Sequence, residues 1–259
     1  MRANTPLEQL RSGKVSLGTW STLGTDLAVA ILGTAGFDWV MIDMEHGPVS
    51  AEDAQHAITA ACTTAAAPLV RVTWNESALI QGVLDMGAYG VLVPMVESRE
   101  DAERAVADAR YPPLGRRSRG GLRAPFAFST DPVTYGSRAN EATLLAVQIE
   151  TVAALASLDE IAAVPGIDVL FVGPQDLATS MGLWPASMTD MAPAYAQAIE
   201  SVPPVARRYN KHAGILVYDE GVARHCIALG YTFVGLHADA TMLLEKARAA
   251  VRALHETSG

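Results

Sequence analysis

Cysteine, lysine and positive charge are all scarce in this 259-residue chain, and each scarcity removes a class of function. The two cysteines, Cys62 and Cys226, fall in separate helical patterns with no CxxC pair. That excludes a disulfide framework and fits a reducing compartment. Lysine occurs only as Lys14, Lys211 and Lys246; the first two precede strand patterns and the third lies in the last helical one. No lysine amine therefore stands where a Schiff base would form. Acidic residues outnumber basic ones, 28 to 19, for a net charge of −9. A nucleic-acid partner would need a basic stripe to neutralise phosphates, and there is none. The one basic cluster, Arg116, Arg117, Arg119 and Arg123, sits among glycines and reads as a loop over a small anion. No apolar run reaches the roughly 18 residues of a membrane helix. The opening M-R-A-N-T-P-L-E-Q-L lacks the apolar core of a signal peptide. The expectation is a soluble, cytoplasmic protein that acts on small molecules.

What is present is a regular alternation. Half the residues are hydrophobic, and short apolar runs alternate with longer helical patterns. Strand patterns cover 15–20, 39–43, 69–72, 90–93, 144–149, 169–172, 214–217 and 232–236. Helical patterns follow at 25–32, 51–66, 77–86, 99–109, 153–163, 222–229 and 241–255, with a broken helical region over 174–208. Ser50 to Asp53 has the spacing of a capping box. A Gly-, Pro- and Arg-rich stretch over 111–141 reads as a long functional loop. Eight strand–helix units without a linker predict a single (β/α)8 barrel over residues 1–259. A doubly wound open sheet is the alternative, but it would usually have fewer units or a second domain.

In such a barrel the active site lies at the C-terminal ends of the strands, so its polar residues can be read from the sequence. The segment F-D-W-V-M-I-D-M-E-H-G-P ends a greasy strand on Asp43, Glu45 and His46. Burying such groups is costly unless the strand tip opens into a polar pocket. Trp20 ends the first strand, and Arg71 lies within the third. Gln148 and Glu150 end the fifth, Gly173 and Asp176 the sixth, Tyr218 and Asp219 the seventh, His237 and Asp239 the eighth. Glu150 and Asp176 on neighbouring strands form a hard oxygen site suited to Mg²⁺, Mn²⁺ or a similar divalent ion. The plainer reading makes each of them a helix cap. Arg71 needs an anionic partner, either Asp43 or a substrate carboxylate or enolate, and the planar fork favours substrate. His46 beside Asp43 reads as a base with an orienting carboxylate or as a satisfied structural histidine.

Several spaced motifs then occur in order: I-D-M-E-H-G-P, V-R-V with Trp74-Asn75, L-V-P-M-V, R-Y-P-P-L-G-R-R, V-Q-I-E-T and F-V-G-P-Q-D-L. With them essentially the whole chain resembles the HpcH/HpaI aldolase family of class II, metal-dependent pyruvate aldolases. Its members include 4-hydroxy-2-oxoheptanedioate and 2-dehydro-3-deoxyglucarate aldolases. The resemblance implies Glu150 and Asp176 as ligands of a divalent metal (Mg²⁺ or Mn²⁺, with Co²⁺ and Zn²⁺ as further candidates). It implies Arg71 as stabiliser of an enolate oxygen, and His46 paired with Asp43 as manager of the proton. Gln148, Gly173 and Pro174 would position the donor, while Trp20 and the loop carrying Arg123 would shape the acceptor side. Asp85 would support the site or a subunit contact. The resemblance further implies trimers paired into hexamers, with the last helix exchanged between subunits. The chain departs from the family pattern at Met44, Gln175, the shortened 117–123 loop and His237, which replaces a small residue. Gln175 adds a side-chain amide near the donor, so hydroxypyruvate joins pyruvate as an expected donor. Two rivals remain at this stage: a related carbon–carbon lyase acting on acyl-CoA thioesters, and a non-catalytic ligand-binding barrel.

Overall fold

A computed structural model describes residues 1–184, 188–189 and 191–255. The strands β1 (Ser16–Ser21), β2 (Trp39–Asp43), β3 (Ala67–Arg71), β4 (Gly90–Val93), β5 (Leu144–Ile149), β6 (Val169–Val172), β7 (His212–Val217) and β8 (Tyr231–Ala238) form one sheet. They pair in sequence order, all parallel, and β8 closes onto β1. This is the expected (β/α)8 barrel.

The helices are α1 (Thr5–Arg11), α2 (Asp26–Thr34), α3 (Ala51–Ala61), α4 (Ser77–Met86), α5 (Arg99–Ala109), α6 (Arg123–Ala127), α7 (Pro132–Ala142), α8 (Val152–Ala156), α9 (Leu158–Ala162), α10 (Pro174–Ser180), α11 (Pro193–Arg208), α12 (Glu220–Leu229) and α13 (Asp239–His255). Three local expectations change. The 111–141 stretch is not structureless, because it holds α6 and most of α7. Asp131 caps α7 by accepting from the Val133 and Thr134 amides, and Pro132 starts it with its φ already helical. The helix expected at 153–163 is broken at Ser157 into α8 and α9. The broken helical region of 174–208 resolves into α10 and α11, and its residues 185–187 and 190 lie outside the described residues. The capping box at Ser50 and Asp53 forms as its spacing predicts.

The sheet is greasy on both faces because both are covered. Its outer face packs under the helices in one large apolar cluster. Its inner face closes on a second cluster that uses much of the chain's small aromatic content. Trp39 stacks on Phe233 with ring centroids 4.2 Å apart, and Trp20 meets Trp39 edge-on at 5.6 Å. Gly18 makes room for this pile: a Cβ there would lie 1.9 Å from the Trp39 ring. The filled interior closes the lower barrel, and a cavity opens above it at the strands' C-terminal ends.

α13 does not follow this scheme. Asp239 is its only buried residue, and Leu243, Leu244 and Val251 are exposed along it. On α2, Leu27 and Ile31 are exposed as well. Among the described residues no helix is long and apolar enough to cross a membrane.

Candidate active site

A cavity of about 390 Å³ opens at the C-terminal ends of the strands. Trp20, Asp43, His46, Arg71 and Gln148 line it, together with the run from Gly173 to Asp176 that leads from β6 into α10. The fold thus gathers these nine sequence-derived site residues around one space, with Tyr218 and Asp219 from the end of β7 beside them.

Asp43 and Arg71 are register partners on β2 and β3. Arg71 donates from Nε to Asp43 Oδ1 at 2.9 Å and from its second terminal nitrogen to Oδ2 at 2.6 Å. The remaining guanidinium nitrogen lies 3.1 Å from Glu45 Oε2. The anionic partner of Arg71 is therefore the protein's own Asp43, with Glu45 second, and the balance assigned from sequence in favour of substrate is reversed. The guanidinium still borders the cavity. Asp43 Oδ1 also accepts from the backbone amides of Glu45 and His46, at 3.1 and 3.3 Å. These bonds fix the turn after β2. They also occupy the carboxylate, so the His46 ring does not pair with it. The His46 side chain is 59% exposed at the cavity mouth, with Nε2 3.9 Å from Glu45 Oε2.

Glu150 sits behind the cavity wall and is 2% exposed. It does not cap a helix, since Thr151 caps α8. Its Oε1 accepts from the Met95 amide at 2.7 Å, and its Oε2 accepts a short bond from the Gln148 amide. Met95 adopts φ +53, the left-handed region uncommon outside glycine, and that backbone carries the amide bonded to Glu150. Burial pushes the Glu150 carboxyl up to about 7, aided by the negative charges of Glu45 and Asp176 and opposed by the Met95 amide and Arg71. Burial likewise pushes Glu45 to about 7; Arg71 opposes the shift, while Asp43 and Asp176 add to it. Asp176 lies in the first turn of α10, which has no side-chain cap. A group of acids this close to one another, with one guanidinium among them, is short of positive charge.

The donor chemistry fits a hard cation. Glu150 and Asp176 offer carboxylate oxygens, and the buried Gln148 Oε1 has no hydrogen-bond partner. Among the described residues no three His, Cys, Asp or Glu side chains gather into a ready-made cage. Gly173 shapes the same spot: a Cβ there would come within 2.8 Å of Glu150 Oε2 and 3.1 Å of Gln148 Nε2. Gly173→Ala is accordingly expected to displace the Glu150 carboxylate and weaken divalent-metal binding by about 10- to 100-fold. Calorimetric titration with Mn²⁺ checks this, and unchanged affinity would show that the carboxylate adjusts freely.

Two expected site residues lie elsewhere. Asp85, in the last turn of α4, accepts from the buried Arg117 at 2.7 Å. Arg123 begins α6. The Tyr89 hydroxyl, just ahead of β4, donates to the Ala127 carbonyl at the end of α6, so this segment lies at the strands' N-terminal ends. Neither residue lines the cavity. Asp239, another polar strand-end residue, accepts from the Ser21 and Thr22 hydroxyls and the Thr22 amide, which ties the β1 loop to α13.

The site also holds residues to which sequence reasoning gave no role. Glu45 was visible in the β2 tip, but its contact with Arg71 depends on the path of the turn. Met95 was visible at the end of the fourth strand, but a methionine does not announce a left-handed backbone.

A family model described as HpcH/HpaI aldolase/citrate lyase matches residues 16–245. The chain is 39% identical over 240 residues to the 2-keto-3-deoxy-L-rhamnonate aldolase of Salmonella gallinarum, covering 93% of this chain and 88% of the relative. Its fold is similar to the crystal structure of an HpcH/HpaI aldolase/citrate lyase family protein from Burkholderia cenocepacia, with a TM-score of 0.89 and 33% identity over 98% of this chain and 100% of that one. It is also similar to an HpcH/HpaI aldolase from Desulfitobacterium hafniense, with a TM-score of 0.89 and 27% identity over 96% of each chain.

Proposed function

The chain belongs to the HpcH/HpaI aldolase/citrate lyase family, and from that premise we propose that it is a divalent-metal-dependent aldolase reversibly cleaving a 4-hydroxy-2-oxo acid to a 2-oxo acid and an aldehyde. The observation that carries this reading is the buried Glu150, whose carboxyl feels the charge of Asp176 just behind the wall of a cavity that Asp176 and Arg71 both line. Glu150 and Asp176 would hold the ion, Mg²⁺ or Mn²⁺ first and Co²⁺ or Zn²⁺ next, which supplies Lewis acidity toward the oxo group of the substrate.

The remaining work falls to the protein's side chains. Asp43 and Glu45 fix the Arg71 guanidinium at the cavity wall, where it lowers the energy of negative charge developing on the substrate oxygen. In cleavage the C4 hydroxyl gives up its proton, the C3–C4 bond breaks, and its electron pair passes into the enolate while C4 leaves as the aldehyde. C3 then takes a proton to complete the 2-oxo acid. His46, at the mouth, is within the lining and carries that proton. Gln148 and the backbone at Gly173 and Pro174 position the donor, and the bond from the Tyr195 hydroxyl to the Pro174 carbonyl at 2.7 Å keeps that segment in place. Trp20 forms the apolar floor.

The name of the Salmonella relative describes a 2-keto-3-deoxy sugar acid, and substrates of that class suit this cavity. Gln175 lines the donor side and favours a hydroxylated donor. Gln175→Ala is expected to lower the hydroxypyruvate-to-pyruvate rate ratio about fivefold, the worth of one hydrogen bond. An unchanged ratio removes Gln175 from donor choice.

The exposed Leu243, Leu244 and Val251 of α13 and Leu27 and Ile31 of α2 suit exchange of the last helix with a second copy, in a trimer or hexamer. Asp85, bonded to Arg117 away from the cavity of its own subunit, would serve at such a contact.

The test of function is deuterium exchange into the pyruvate methyl group, followed by NMR. Exchange is expected with Mg²⁺ or Mn²⁺, and it should stop on addition of EDTA. Absence of exchange with either pyruvate or hydroxypyruvate, in protein shown to bind metal, would overturn the reading.

A further inference from the structure

Tyr218 follows directly on β7 and lines the cavity. It is 38% exposed, and among the described residues its hydroxyl has no hydrogen-bond partner. Two other polar side chains on that side already make bonds. The Thr22 hydroxyl donates to Asp239 at 2.9 Å, and Asp219 accepts from the Val222 amide to cap α12. The neighbouring lining from Leu216 and Val222 is apolar, and Trp20 adds its ring and a fully buried indole N–H. An acceptor hydroxyl entering here would meet one uncommitted hydroxyl, that of Tyr218. Burial pushes its phenol above the ordinary tyrosine range, so it stays protonated at neutral pH and can donate.

The Tyr218 ring rests against His237 in an edge contact, with centroids 6.4 Å apart and planes at 69°. His237 lies near the end of β8 with φ +58, a left-handed conformation that glycine adopts without cost. The backbone role of this residue is to offer its carbonyl to the Thr19 hydroxyl at 3.2 Å, which glycine would do equally well. The imidazole is mostly buried, with Nδ1 unpartnered and Nε2 3.5 Å from Glu220 Oε1. An L-residue kept in a glycine conformation, with a ring that gains little for itself, acts through what the ring touches.

Resting on the aldolase reading above, we propose that Tyr218 is a specificity-determining residue whose hydroxyl bonds a hydroxyl of the aldehyde acceptor, and that His237 is the positioning residue holding the Tyr218 ring. The acceptor class is a neutral hydroxyaldehyde. A carboxylate-bearing aldehyde would bring its charge toward Asp219, which lines the same wall.

The experiment measures kcat and KM for condensation of pyruvate with glyceraldehyde and with propionaldehyde, which share a three-carbon chain with and without hydroxyls. Wild type is expected to favour glyceraldehyde. Tyr218→Phe should lower the glyceraldehyde-to-propionaldehyde ratio of kcat/KM about tenfold, mainly through the KM for glyceraldehyde. His237→Gly, which relieves the backbone, should keep or raise the thermal midpoint yet lower the same ratio. The double variant should lose no more than Tyr218→Phe alone, because both changes remove one contact. An unchanged ratio in Tyr218→Phe, or an equal loss for both aldehydes, would overturn the proposal. So would additive losses in the double variant, which would separate His237 from Tyr218. Donor exchange in wild type, run alongside without aldehyde, tests the aldolase reading separately: exchange with an unchanged ratio defeats only the acceptor assignment, and no exchange defeats both.

Discussion

Glu150→Gln should abolish metal-dependent turnover while leaving the metal-free protein at least as stable as wild type. The substitution keeps the shape of the side chain and removes a charge from a position that is 2% exposed. Burial already pushes the Glu150 carboxyl to about 7, so the folded protein resists the charge it needs for binding a cation. An amide is free of that cost. Its oxygen can still accept from the Met95 amide. Its NH₂ group then faces Gln148, whose Oε1 is buried without a partner. Rotation of the Gln148 amide would satisfy that oxygen and form a neutral pair.

Function should move the other way. Loss of one of the two proposed carboxylate ligands would remove charge needed to hold the ion, and turnover should fall by about a thousandfold or more. Scanning calorimetry with and without Mn²⁺, together with pyruvate exchange, measures both sides. Wild-type stability should rise on adding Mn²⁺, as expected for a ligand that binds only the folded state, and that of the variant should not. A variant that turns over normally would remove Glu150 from the metal site, and one that fails to fold would assign it a structural role instead.

The barrel was legible because each strand is buried on both faces and so reads as a short apolar run between turn signals. β2, β4, β5 and β6 coincide with their sequence-derived ranges, as do α4 and α5. α1 was missed: seven residues with few apolar positions carry too little periodicity to stand out. α6 and α7 were hidden inside a Gly- and Pro-rich stretch, although Asp131-Pro132 is itself a helix-start signal. The site divides along the same line. Which residues reach the strand ends follows from strand position, and that was readable. How they share charge does not. Asp43 meets Arg71 because register aligns them across two strands 28 positions apart in sequence. Glu150 is held by the backbone of Met95 and sheltered by the missing Cβ of Gly173, and neither feature leaves a mark on periodicity. His46 was read as the partner of Asp43 from proximity in sequence. The turn instead brings the backbone amide of His46 to that carboxylate and leaves its ring at the mouth.

Arg71 is where structure and catalysis are expected to separate most sharply. Arg71→Ala leaves Asp43, 1% exposed, and Glu45 without their cation, and should cost about 3–5 kcal/mol of stability. Arg71→Lys keeps a positive charge but not the fork. A single ammonium cannot reproduce the paired bonds to Asp43 at 2.9 and 2.6 Å together with the contact to Glu45 at 3.1 Å. The lysine variant should fold with a smaller loss of stability, while kcat for cleavage falls about 100-fold or more because the cationic face at the cavity wall is no longer fixed. The double variant Asp43→Asn with Arg71→Met separates the roles. Removing both charges of the pair should recover much of the stability lost in Arg71→Ala, since neither is then left alone. It should recover none of the turnover if the guanidinium also stabilises the enolate oxygen. Chemical denaturation and methyl exchange on the same three variants decide it. Turnover that returns together with stability would make Arg71 a structural counterion to Asp43 and nothing more.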